Sequence, residues 1–154
     1  MSQREIILVS MQQRDLRILQ SWFDDAELKK RLGGLLPLQR YFDYVQSEPN
    51  YFAWTAMEGE TSIGALFLQV QTHEPTSFGF LVDPAVRSCG YGRSLLRKLM
   101  VQPEVARIEK WRVGVESDNL ASQRCMQAVG FMLESDVEDE DGFLQYTFDQ
   151  SKHA

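Results

Sequence analysis

Residues 78–100 read as an apolar strand, a proline, a short loop carrying two glycines one residue apart, and an amphipathic helix. This segment constrains the fold more than any other, because a strand must hand the chain to a helix start within a few residues. Such a turn aims a row of backbone N–H groups at one spot, where the positive end of the helix macrodipole also lies. Glycine suits the place because a side chain would block a polyanion, and because glycine tolerates positive φ. A loop of this kind is built to hold phosphates, so a pyrophosphate-bearing ligand is the first class to consider.

Composition narrows the remaining classes. A chain of 154 residues is about one domain's length, and 1–154 is read as a single domain. Its apolar and charged fractions, 44% and 25%, are ordinary for a globular protein. No stretch approaches the roughly 18 apolar residues of a membrane helix. The first residues, Met1-Ser2-Gln3-Arg4-Glu5, lack a signal-peptide pattern. The two cysteines, Cys89 and Cys125, fit reduced thiols in a cytoplasmic protein. A net charge of −6 argues against nucleic acid as the main partner, and an acidic surface favours cationic substrates. Nothing resembles a metal site or fixes the oligomeric state, so a homodimer stays open.

Hydrophobic periodicity then supplies the elements. A first strand spans 6–9, and Leu16, Leu19, Trp22 and Phe23 recur at helical spacing. Asp24-Asp25 opens a second short helix that stops at Gly33-Gly34. Pro37 starts a third, whose buried stripe is Leu38, Tyr41, Phe42 and Val45. Strands at 51–57 and 62–70 flank a hairpin turn at Glu58-Gly59-Glu60. The strand at 78–82 leads through the glycine turn to a helix ended by Pro103. A strand at 111–116, a helix at 120–129 capped by Gly130, and strands at 131–135 and 143–148 complete the chain. The order β-α-α-α-β-β-β-α-β-α-β-β describes a mixed α/β sheet with helices on its faces.

Two common phosphate loops do not fit. A Walker loop needs Gly-Lys followed by Ser or Thr, and a dinucleotide fingerprint needs a third glycine where Leu95 stands. Instead, Arg87-x-x-Gly90-x-Gly92 after Leu81-Val82-Asp83-Pro84 resembles the acetyl-CoA loop of the GNAT N-acetyltransferase superfamily. A second segment agrees with it. Asn119, Ser122 and the pair Gly130-Phe131 match that family's Asn-x-x-Ala/Ser and Gly-Phe positions, in the expected order. Asp15-Leu16-x-x-Leu19-x-x-Trp22 also looks like the branch that acetylates aminoglycosides and ribosomal-protein N-termini.

The resemblance implies an α/β (α+β) fold with a mainly antiparallel sheet of six to seven strands, helices on both faces, and a splay between strands 4 and 5. It further implies acetyl-CoA as cosubstrate. Leu81 and Val82 would bond the pantetheine arm through their main chain. Amides from Ser88 and Cys89 through Gly90, Tyr91 and Gly92 to Arg93 would cradle the pyrophosphate, with Arg87 or Arg93 adding charge. Asn119 and Ser122 would sit at the start of the next helix, Asn119 bonding the cofactor, capping the helix, or both.

The implied activity is transfer of the acetyl group to a primary amine by direct attack in a ternary complex. The amine would be a cationic small molecule or a peptide, including a protein N-terminus. Glu116 is the candidate general base, because on a period-two strand it shares a face with Arg112 and Gly114, opposite Trp111, Val113 and Val115. Relatives carry a glutamate at the positions of Gly114 or Ser77 here, and His73 and Glu74 lie just upstream of Ser77. The family's usual acid, a tyrosine, is replaced by Met126, which cannot donate a proton. Two acidic rims, Asp24-Asp25-Glu27 and the 136–141 turn, would suit a polycation. A non-catalytic acyl-CoA-binding or regulatory module is the competing reading, which the substitutions at Ser77 and Met126 keep open.

Overall fold

In the computed structural model, residues 5–71 and 75–150 are described, so His73, Glu74 and the C-terminal His153 lie outside the described residues. Four antiparallel strands form one sheet in the order β1 (Ile6–Ser10), β2 (Tyr51–Glu58), β3 (Thr61–Gln69) and β4 (Ser77–Val82). A second antiparallel sheet runs β5 (Lys110–Glu116), β7 (Phe143–Asp149), β6 (Met132–Leu133). With seven strands and helices on both faces, the expected architecture is present.

Five α-helices cover the sheets. Helices α1 (Leu16–Trp22), α2 (Ala26–Leu32) and α3 (Leu38–Ser47) bury one core with Ala53, Ala65, Phe67 and Leu81. Helices α4 (Tyr91–Leu99) and α5 (Leu120–Val129) bury the other, around Leu95, Leu96, Trp111 and Phe131. Leu16, Leu19 and Trp22 all point into the first core, so the motif at the first helix is a packing stripe. Its Asp15 accepts the hydroxyl of fully buried Thr55 at 3.0 Å and so fixes the helix entry to β2.

The last turn of α5 explains one departure from expectation. Gly130 sits at φ 111°, and the Phe131 N–H bonds back to the Met126 carbonyl at 2.9 Å. Phe131 therefore closes the helix and is buried against Phe78 and Phe148, and the strand expected over 131–135 contracts to Met132–Leu133. Pro103 opens a single 3-10 turn after α4 has ended. No helix among the described residues is long and apolar enough to cross a membrane.

Among the described residues one backbone bridge joins the two sheets. Thr76 donates its N–H to the Lys110 carbonyl at 3.0 Å and accepts the Arg112 N–H at 2.9 Å, a parallel bridge. Beyond it β4 and β5 belong to separate sheets, and that division positions the site.

Candidate functional site

A cleft of about 570 Å³ opens between β4 and β5, roofed by α2 and closed at one end by the starts of α4 and α5. Strand geometry decides which backbone groups face it. Asp83 donates to the Ile63 carbonyl, so the odd residues of β4 bond toward β3. Thr76 bonds toward β5, so by the same alternation Phe78, Phe80 and Val82 aim their N–H and C=O groups at the cleft. Leu81 also borders the cleft, but its main chain is directed at its partner Ala65 on β3, and its side chain is buried beneath α1–α3.

The glycine loop has the backbone that phosphate binding asks for. Ser88 and Gly90 both take positive φ, 65° and 83°, and Gly90 is the N-cap of α4. First-turn amides such as those of Gly92 and Arg93 have no carbonyl one turn back. Both line the cleft together with Arg87, Ser88 and Gly90. Gly92 is also tightly packed: a Cβ there would stand 3.2 Å from Cys125 Sγ and 3.4 Å from the Phe80 ring, so a larger residue would press on these neighbours. Cys89 is not among the residues lining the cleft; its exposed thiol contacts the Arg87 carbonyl at 3.5 Å. Tyr91 lines it, but its hydroxyl donates to Glu58 at 2.6 Å.

Charge at the mouth is partly committed. Arg87 is held by Asp25 at 2.6 Å, and that guanidinium, with the Leu28 amide, keeps the Asp25 carboxyl below its usual range. Arg93 on α4 and Arg124 on α5 also line the cleft and carry no ion pair among the described residues. Arg124 was not singled out from the sequence; its only signal is its position three residues after Ala121, which lines the same wall.

Glu116 lines the cleft, on the strand face opposite the buried Trp111, Val113 and Val115. Its Oε2 lies 3.1 Å from Nη1 of Arg31, which also bonds Asp118 at 2.7 Å, while Arg31 Nε bonds Glu27 at 2.8 Å. These carboxylates, Asp118 foremost, raise the Arg31 pKa, so its charge is permanent. Asn119 caps α5 by accepting the Ser122 N–H at 3.3 Å, and both residues line the cleft. Gln123 donates to the Glu116 and Ser117 carbonyls and accepts the Tyr146 hydroxyl, which locks α5 onto β5 and β7. Met126 is fully buried in the core. Cys125 borders the cleft, and burial pushes its thiol up to about 11.

A second cavity of about 270 Å³ adjoins the first, and Leu32 and residues 78–80 border both. Its walls are Tyr41, Tyr51, Phe67 and Leu35, with Ser77 and Gln69 as the polar side chains. Tyr41 packs edge-on against Phe67 at 5.1 Å, and Tyr51 packs similarly against Tyr44. Burial raises the pKa of both cavity phenols, Tyr51 to about 12, so neither ionises near neutrality. Trp22 and Phe23 are buried in the core.

Residues 16–131 match the family described as Acetyltransferase (GNAT) family. A Bacillus subtilis (strain 168) protein described as the uncharacterized N-acetyltransferase YfmK is 35% identical over 134 residues, 87% of this chain and 90% of that one. The chain belongs to the GNAT family and is an acetyltransferase. Among solved structures, aminoglycoside acetyltransferase AAC(6')-Ib with ribostamycin and coenzyme A superposes with a TM-score of 0.80, at 21% identity over 97% of this chain and 96% of that one. Spermidine/spermine N-acetyltransferase SpeG from Vibrio cholerae gives 0.75, at 16% identity over 96% and 95%. Campylobacter jejuni N-acetyltransferase PseH, with acetyl coenzyme A, gives 0.72 at 13% over 95% and 99%. At such identities the likeness is one of fold.

Proposed function

We propose that this chain moves the acetyl group of acetyl-CoA to a primary amine, a cationic small molecule or a peptide N-terminus, by direct attack in a ternary complex. One observation carries the reading. The cleft runs from a helix start with positive-φ backbone, flanked by Arg93 and Arg124, to a second cavity at residues 78–80. A long polyanionic donor and a small acceptor can thus meet end to end. In the reaction the amine nitrogen bonds to the thioester carbon, and the carbon–sulfur bond then breaks. Negative charge on the carbonyl oxygen falls to a gap-facing amide, that of Phe80 or Val82, already oriented by the sheet. Gly90, Gly92 and Arg93 hold the pyrophosphate, while Asn119 and Ser122 border the pantetheine arm.

Glu116 is the proton acceptor on this reading, reached through water. It lies two residues, about 7 Å, beyond Gly114 along β5, and the Arg31 contact engages Oε2. The departing thiolate has an ordinary pKa of about 8.5 and can take its proton from water, so the loss of a tyrosine at Met126 is tolerable. The test is thiol release from acetyl-CoA with a panel of primary amines. Release that depends on an amine supports the proposal. Cofactor binding without release from any amine sinks it and leaves an acyl-CoA-binding module.

A further inference from the structure

We infer that the acceptor is a primary monoamine with a compact apolar body, lodged in the aromatic cavity beside β4 and reached past Gly79. The inference rests on acetyl transfer as proposed above. The cavity holds the volume of roughly nine waters at about 30 Å³ each, room for a ring and a short arm. Among the described residues no carboxylate, lysine or arginine lines it. The part of an acceptor seated against these walls meets aromatic and aliphatic side chains and no described counter-charge, so an apolar body suits it better than a second ammonium. A single amino group carries no such burden, since it gives up its proton on reaction.

Three of the rim carboxylates expected to receive a polycation, Asp25, Glu27 and Asp139, are already committed. Asp25 is bound to Arg87, and Glu27, Glu116 and Asp118 converge on Arg31. In the 136–141 turn, Asp139 accepts the amides of Asp141 and Phe143 and holds Gln145. These charges staple loops and helices rather than face the cavity.

Gly79 marks the passage. It borders both cavities, and a Cβ built on it meets no atom within 4 Å. By strand alternation that Cβ would point with Ser77 and Leu81 toward α1–α3, the side on which the cavity lies. The missing side chain is what keeps the passage open, and its φ does not demand glycine.

The experiment uses the full chain, saturating acetyl-CoA, and 2-phenylethylamine against spermidine, followed by thiol release. We expect kcat/KM for 2-phenylethylamine to exceed that for spermidine by about tenfold or more. Gly79→Leu should lower the 2-phenylethylamine value at least about tenfold while calorimetry shows acetyl-CoA binding retained. Leu35→Glu, at the partly exposed edge of the cavity, should shift preference toward spermidine. A parent enzyme that prefers spermidine overturns the acceptor class and leaves acetyl transfer standing. A fully active Gly79→Leu overturns the passage. No thiol release with either amine, nor with any other, despite bound acetyl-CoA overturns acetyl transfer itself and this inference with it.

Discussion

Glu116 and Arg31 show how one side chain redefines another. From the strand pattern alone Glu116 is a carboxylate beside a gap, a base or half of a salt bridge; in the fold its partner is the guanidinium that also collects Glu27 and Asp118. A pair 87 residues apart, Arg31 with Asp118, leaves no trace in local spacing, so the sequence could not announce it. Glu116→Gln should slow transfer by a factor that grows as pH falls. An amine of pKa about 10 is then increasingly protonated and has lost its internal proton acceptor. Equal slowing at every pH between about 6 and 9, measured as kcat/KM, removes Glu116 from proton transfer. The two thiols offer a simpler check. Cys125 is buried with its pKa pushed up to about 11, whereas Cys89 is exposed. A thiol reagent at pH 8 should therefore modify Cys89 promptly and Cys125 only on unfolding, which peptide mass spectrometry resolves.

At the scale of elements, α2 decides how the cleft is roofed, and it is fastened at both ends by ion pairs. Asp25 at its N-cap holds Arg87 of the loop before α4, and Arg31 in its last turn holds Glu116 at the end of β5 and Asp118 just beyond it. The Arg87 guanidinium lowers the Asp25 pKa, and the Arg31 guanidinium lowers that of Asp118. Carboxyls whose folded pKa is depressed stabilise the fold above their unfolded value near 4, and that contribution fades as pH drops through the folded value. Amide exchange in α2 should accordingly lose protection below about pH 4 before the β2–β3 core does. Asp25→Asn with Asp118→Asn should show the weakened protection at neutral pH as well. Identical α2 protection in parent and double variant would mean that the ion pairs do not hold the roof.

Much of this layer was legible beforehand. Alternating burial along β5, the strand–turn–helix around Gly90 and the Asn119 cap all follow from short-range rules. The in-plane direction of Leu81 was not, because it depends on register with β3, which no residue of β4 encodes alone. The close approach of Cys125 to Gly92 was not legible either, since it comes from a helix 33 residues further along.

For the molecule as a whole, charge is distributed against its average. The chain carries a net −6, yet the cleft has Arg31, Arg87, Arg93 and Arg124 along its walls. A polyanion must therefore cross an acidic exterior to reach a basic slot, and its affinity should depend on salt through the phosphates alone. Acetyl-CoA at 100 times its Kd should stabilise the fold by about 2.7 kcal/mol, a rise in Tm of about 5–11 °C for a chain of this size. Raising salt from about 0.05 to 0.5 M should weaken acetyl-CoA binding but hardly affect S-acetyl-pantetheine, which lacks the pyrophosphate. Arg93→Gln and Arg124→Gln should shrink the affinity gap between the two donors, whereas Arg87→Gln should shrink it less, because Asp25 already occupies that guanidinium. Calorimetry at the two salt concentrations decides the matter. If acetyl-CoA and acetyl-pantetheine bind alike in the parent and in all three variants, the phosphates do not rest at the start of α4.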